Sequence, residues 1–121
     1  FLSFDKLIEP SEIAAAKIKT NALEAAFSSS YSQPRRPINL DPGYLEQSKI
    51  VLASTKNFFH RILVSQGIYA EVTLHYQDGA WQKFPWTFPD YKTDRYSRFF
   101  TAMRDLYRDQ LSRIGVRIRT R

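Results

Sequence analysis

Apolar and polar residues alternate from Ala70 to Tyr76, where Ala70, Val72, Leu74 and Tyr76 are separated by Glu71, Thr73 and His75. A period of two is the pattern of a strand with one buried face. Gln77-Asp78-Gly79-Ala80 follows, and an Asp-Gly pair suits the two-residue turn of a hairpin. The returning strand is expected to carry Phe84, Trp86 and Phe88 on one face, with Pro85 marking an edge strand or a bulge. A helical period governs two other stretches. From Tyr44 to about Gln66, Leu45, Leu52, Thr55, Phe59, Ile62 and Leu63 recur at spacings of three and four, and Gly67 supplies a stop. From Thr93 or Asp94, either of which can cap a helix, Tyr96, Phe99, Phe100, Met103, Leu106, Tyr107, Leu111 and Ile114 form an apolar stripe. Arg95, Arg98, Arg104 and Arg108 lie off that stripe. The last nine residues return to a period of two: Val116 and Ile118 are expected in a core, while Arg117, Arg119 and Arg121 project together from the other side.

Towards the N-terminus the signals are weaker. Residues 11–27 read as a helix capped by Ser11 after Pro10, rich in alanine but thin in large apolar residues. Ser28 to Pro37 reads as a linker, and Pro37-Ile38-Asn39-Leu40 as a short strand ending at Asp41-Pro42-Gly43. These readings place an N-terminal helical arm and linker at 1–33 and the main module at 34–121. Its element order is β-α-β-β-α-β, and the economical packing is an α+β fold with a four-stranded antiparallel sheet and both helices on one face. The open face would then carry Thr73, His75, Lys83, Thr87, Arg117, Arg119 and Arg121.

Composition limits the class of protein. In 121 residues, 43% hydrophobic and 15% aromatic content support a packed core and exclude a wholly disordered chain. No apolar run is long enough to span a bilayer, and no secretory signal opens the sequence. Cysteine is absent, so no disulfide or thiolate metal site can form, which fits a cytoplasmic or nuclear location. The chain opens on Phe1, which suggests a piece of a longer polypeptide. Charge changes the picture most. Residues 91–121 hold nine Lys/Arg against three acids, and residues 1–90 hold nine of each, so the net charge of +6 lies in the final quarter. A field concentrated in this way points to a polyanion, with nucleic acid ahead of membrane.

Catalytic constellations are scarce. His60 and His75 stand without a paired-histidine motif, and the four glycines stand singly, so neither a metal site nor a phosphate loop is indicated. Asp105 and Asp109 are four apart on the second helix, but Arg104 and Arg108 beside them favour a solvated face laced with ion pairs. The expectation is a binding module without catalysis and without a cofactor of its own. Aromatics on the sheet leave open an RNA-stacking module or a protein-interaction domain.

Thr87-Phe88-Pro89, a following helix, and Arg113-Ile114-Gly115-Val116-Arg117 stand in that order. In these features the segment from about Pro34 to Thr120 resembles the little finger, or polymerase-associated domain, of Y-family lesion-bypass DNA polymerases. Arg35-Arg36 is similar to the basic tether that precedes that domain. The chain departs from the family pattern at Pro85 and Trp86, before the threonine, and at Ser112. The resemblance implies a β-α-β-β-α-β domain of a translesion, DNA-repair polymerase that grips the backbone of primer–template DNA. The resemblance implies Arg113, Arg117 and Thr87 as DNA-contacting residues, with Arg35 and Arg36 in the tether; the C-terminal comb adds Arg119 and Arg121, and the open sheet face adds Lys83. Its partners would be DNA and the catalytic core of a parent polymerase, and magnesium would belong to that core alone.

Overall fold

The structure is a computed structural model, and it describes residues 1–30 and 38–116. It is α+β, with an N-terminal helix, an antiparallel sheet of five strands and a C-terminal helix. In chain order the elements are α1 (Ile13–Ser30), β1 (Gly43–Leu45), β2 (Lys49–Ser54), β3 (Arg61–Ser65), β4 (Ile68–Gln77), β5 (Ala80–Lys83) and α2 (Asp94–Arg113). Short 3-10 turns at Pro10–Glu12 and Pro89–Lys92 lead into the two helices. The strands lie in the order β1-β2-β4-β3, and β5 also pairs with β4. Among the described residues no helix is long and apolar enough to cross a membrane.

The class and the body of the N-terminal helix agree with the sequence, but Ser11 lies inside the 3-10 turn and does not cap the helix, which runs on through Ser28 and Ser29 to Ser30, and the order within the module differs. The helix expected over 44–66 is three strands, β1, β2 and β3. Its apparent three- and four-residue spacing comes from separate apolar runs that happen to fall in step. Lys49-Ile-Val-Leu-Ala-Ser is a continuous run with Ile50, Val51 and Ala53 buried, as expected of a strand covered on both sides. Gly67 does not stop a helix. With Gln66 it forms a two-residue turn, φ 53° and 75°, that sets Ser65 opposite Ile68. A helix C-terminus and a tight hairpin both need a residue at positive φ, so glycine alone does not separate them. Only α2 of the two expected covering helices is therefore present, and five strands replace four. Residues 38–40 of the strand expected at Pro37–Leu40 are in no strand.

The Asp78-Gly79 hairpin is present and pairs Gln77 with Ala80. β5 is shorter than expected. Phe84-Pro85-Trp86-Thr87 is a turn closed by the Thr87 N–H donating to the Phe84 carbonyl at 3.1 Å, with Pro85 where its fixed φ favours the bend. Phe88 lies beyond that turn and is exposed. At the other end, α2 stops in a Schellman motif: Val116 N–H donates to the Leu111 carbonyl at 2.9 Å, Gly115 N–H donates to the Ser112 carbonyl at 3.1 Å, and Gly115 has φ 78°. Val116 is consequently exposed and not in the core. Residues 117–121 of the arginine comb, and residues 31–37 with the expected boundary at 33/34, lie outside the described residues.

The chain divides into two compact units, one of Phe1–Asp5, Leu45–Val51 and Val72–Arg121, the other of Lys6–Tyr44 and Leu52–Glu71. In the first, Ile50, Leu74 and Phe100 form the buried centre, with Leu45, Trp81, Tyr91, Tyr96 and Phe99 packed around them. α2 presents this stripe because Thr93 caps it, accepting from the Tyr96 N–H, and because Asp94 and Arg113 suit the two ends of the helix dipole. In the second unit, α1 buries Ile13, Ala14, Lys17 and Glu24 and exposes Ile18, Leu23 and Phe27.

Leu74→Ala should destabilise the chain by about 2–5 kcal/mol, through lost burial and the cavity left behind, in urea unfolding followed by circular dichroism. Leu106→Ala, on a side chain 40% exposed, should cost less than roughly half as much.

Candidate functional site

Two buried polar clusters stand out in the second unit. The β3–β4 hairpin places Arg61 directly opposite Glu71. Glu71 is buried, and its Oε1 lies 2.7 Å from His60 Nε2 and accepts from Arg61 Nε at 3.0 Å. Arg61 also donates from Nη1 to the Lys56 carbonyl at 3.1 Å, and its guanidinium sits 5.9 Å from the Phe58 ring. A buried carboxylate is tolerable only when it is paired and hydrogen-bonded, and here two cation-capable groups share one oxygen. The arrangement ties the 56–60 loop to β4. It consists of one acid with two basic partners. Among the described residues no group of three or more His, Cys, Asp or Glu is placed to hold a metal ion.

The second cluster lies between α1 and the segment 39–42. Lys17 and Glu24 are seven apart, two turns of helix, and so share a face. Glu24 Oε1 accepts from the Leu40 N–H at 2.7 Å, and Lys17 Nζ donates to the Leu40 carbonyl at 3.4 Å and lies 4.0 Å from Asp41 Oδ1. Asn39 donates from Nδ2 to Asp41 Oδ2 at 3.1 Å, and the Pro42 carbonyl accepts from the Ala53 N–H at 3.0 Å. The helix with few large apolar residues thus buries polar side chains, which hold an irregular segment by satisfying its backbone.

In the first unit, the turn after β5 works in the same way. Thr87, expected on an open DNA-facing surface, is buried: its hydroxyl donates to the Thr73 carbonyl at 2.6 Å and accepts from the Phe84 N–H at 2.9 Å. Thr73, expected on the same open face, is fully buried. Trp86 donates from Nε1 to the Val72 carbonyl at 2.9 Å, and its ring stacks on Phe84, centroids 4.7 Å apart. Arg104, read as part of a solvated helix face, is buried; its Nε donates to the Gln47 carbonyl at 2.8 Å and its guanidinium lies 3.7 Å from the Tyr76 ring centroid. Nearby, burial opposes ionisation of Glu46, but hydrogen bonds from Ser48 and Lys49, with the Lys49 charge, hold its carboxyl below the usual range. Burial and the Glu46 charge push the Tyr107 phenol up.

The structure does not gather the expected DNA-contacting residues into one site. Lys83 is exposed at the end of β5. Arg113 is exposed at the end of α2 and pairs with Asp109 at 2.8 Å. Arg35, Arg36, Arg117, Arg119 and Arg121 lie outside the described residues. Arg95, Arg98 and Arg108 are exposed on α2. The sequence reading missed the Glu71 cluster; a regular hairpin at Gln66-Gly67 would set 62 against 71, and the one-residue register shift between Leu63 and Ser65 is what brings Arg61 there. Nothing in the local pattern marked Arg104 as buried.

An α+β chain with two hydrogen-bonded polar clusters and a cationic C-terminal quarter is the class defined here. The chain belongs to the DUF4416 family, a domain of unknown function, which matches residues 1–107. No curated protein and no solved structure matches it.

Glu71→Ala should destabilise by about 1–3 kcal/mol in urea unfolding, since it leaves the part-buried His60 and Arg61 without their acid. The lowered Glu46 pKa stabilises the fold at pH above the ordinary carboxylate value, and this contribution disappears as pH falls through the lowered one. Glu46→Gln should therefore lessen the acid-side loss of thermal stability, measured as the difference in melting temperature between neutral and acid pH.

Proposed function

We propose that this chain is a binding module for the phosphate backbone of nucleic acid, duplex DNA first, and carries out no catalysis itself. The observation that carries the reading is the placement of the entire net charge of +6 within residues 91–121. Exposed Arg95, Arg98 and Arg108 on α2 support it, because guanidinium groups on a rigid helix can meet phosphates without loop ordering. Arg104 does not contribute, since it is buried. The element order found, α-β-β-β-β-β-α, differs from the β-α-β-β-α-β order of the little-finger resemblance. The proposal therefore rests on charge and exposure, and it leaves out a polymerase core as partner.

Binding of this kind fixes position on a backbone and reads few bases. Titration of a short mixed-sequence duplex at several salt concentrations should give an affinity that falls steeply with salt and changes little with sequence. Replacing Arg95, Arg98 and Arg108 together by Ala should weaken binding and reduce the log–log salt slope by roughly 0.9 for each phosphate no longer neutralised. An affinity indifferent to salt, or a triple variant that binds like the parent, would contradict the reading.

A further inference from the structure

Beside the exposed arginines of α2, the first unit holds a cleft of about 270 Å³ lined by Phe1, Arg95, Tyr96 and Phe99. Three of these four are flat rings. Phe1 lies nearly parallel to Phe99, centroids 4.9 Å apart and planes at 14°, and meets Tyr96 edge to face at 4.4 Å. Tyr96 and Phe99 are in turn packed against the buried centre, so the rings rest on a firm support. Phe1 is 60% exposed, and the stack therefore ends on an open π face. A guanidinium stands beside it: Arg95 is exposed, and Arg98, three positions on, is its exposed neighbour on the helix surface. Among the described residues neither is in an ion pair, whereas Arg113 at the far end of the helix is held by Asp109.

A ligand that matches this arrangement carries a flat ring and a negative charge close together. The cleft is slightly smaller than the ~300 Å³ at which sites for drug-sized molecules begin, so it suits one ring system and not a larger molecule. A nucleotide whose base is unpaired has both features in a single unit, and single strands are held by stacking bases on aromatic side chains within a positively charged groove. A paired base is already stacked in its duplex and has no open face to offer. We propose that the cleft takes the base of an unpaired nucleotide, stacked on the rings of Phe1 and Phe99, while Arg95 and Arg98 meet the flanking phosphates. The inference rests on the backbone-binding reading above and adds to it a preference for nucleic acid that carries single strand.

The test titrates the whole chain, at one salt concentration, with a blunt duplex, the same duplex bearing a short thymidine overhang, and the same duplex bearing an abasic overhang with as many phosphates. The thymidine overhang should bind on the order of 10-fold more tightly than the abasic one, as expected of one stacked base. Phe1→Ala and Phe99→Leu should each bring that ratio towards one with the far-ultraviolet spectrum unchanged, since leucine keeps apolar bulk against the core and removes only the flat ring. Phe59→Ala, which alters an exposed ring in the other unit, should leave the ratio as it is. Equal affinity for the two overhangs, with salt-sensitive binding of all three ligands, overturns the proposal and leaves the backbone reading standing; a cleft that takes an aromatic side chain of another polypeptide would give that result. No binding of any of the three at low salt overturns both. A thymidine preference undiminished in both ring variants puts the base elsewhere and also overturns the proposal.

Discussion

The hydrogen-bonding edges of β4 are the constraint on which the sheet depends. β2, β3 and β5 all pair with this ten-residue strand, and β1 reaches it only through β2. β3 takes residues 68–71 of β4 and β5 takes 74–77. Between those stretches the carbonyls of Val72 and Thr73 accept from Trp86 Nε1 and the Thr87 hydroxyl. The backbone groups of a buried strand must be satisfied, and the turn after β5 supplies side-chain donors at that gap. That role explains why Thr87 is buried and why its hydroxyl does not face solvent. Two tight turns, at Gln66-Gly67 and Asp78-Gly79, start the pairing on either side; β5 continues in regular register, and β3 shifts by one residue between Leu63 and Ser65.

The elements legible in the sequence were those with a long, uninterrupted period. β4, its Asp-Gly turn and α2 with its Thr93 cap follow from spacing and capping chemistry, and the body of α1 from its run of helix formers. The region 44–66 was misread because short apolar runs carry no period of their own, and a glycine at positive φ serves a hairpin as well as a helix end. Ile50 and Val51 are β-branched neighbours that suit a strand, a signal that three- and four-residue spacing does not register. The candidate clusters were less legible still. Pairing of His60 and Arg61 with Glu71 depends on the β3–β4 register, and burial of Arg104 depends on Tyr76 and the Gln47 carbonyl, 57 positions away from it in the chain. Neither is visible until the strands are in place.

Charged groups therefore serve two purposes in this chain. Lys17, Glu24, Glu71 and Arg104 are buried; Lys17, Glu24 and Arg104 hold backbone groups, and Glu71 holds His60 and Arg61. The exposed arginines of α2 carry the field that points outward. Apolar residues divide similarly: Leu74 and Phe100 are buried in a core, while Ile62 and Leu63 on β3 are exposed. Counting residue types along the sequence cannot separate these roles, because each is decided by partners.

Residue-resolved amide hydrogen exchange tests the sheet built on β4 most directly. Strands held on both edges open only with global unfolding, whereas edge strands open locally. The slowest amides should lie in β4 and in the part of β2 bonded to it, with β3 and β1 exchanging faster. Uniform protection across residues 44–66, as in a continuous helix, or β4 amides that exchange as fast as those of β1, would contradict this account.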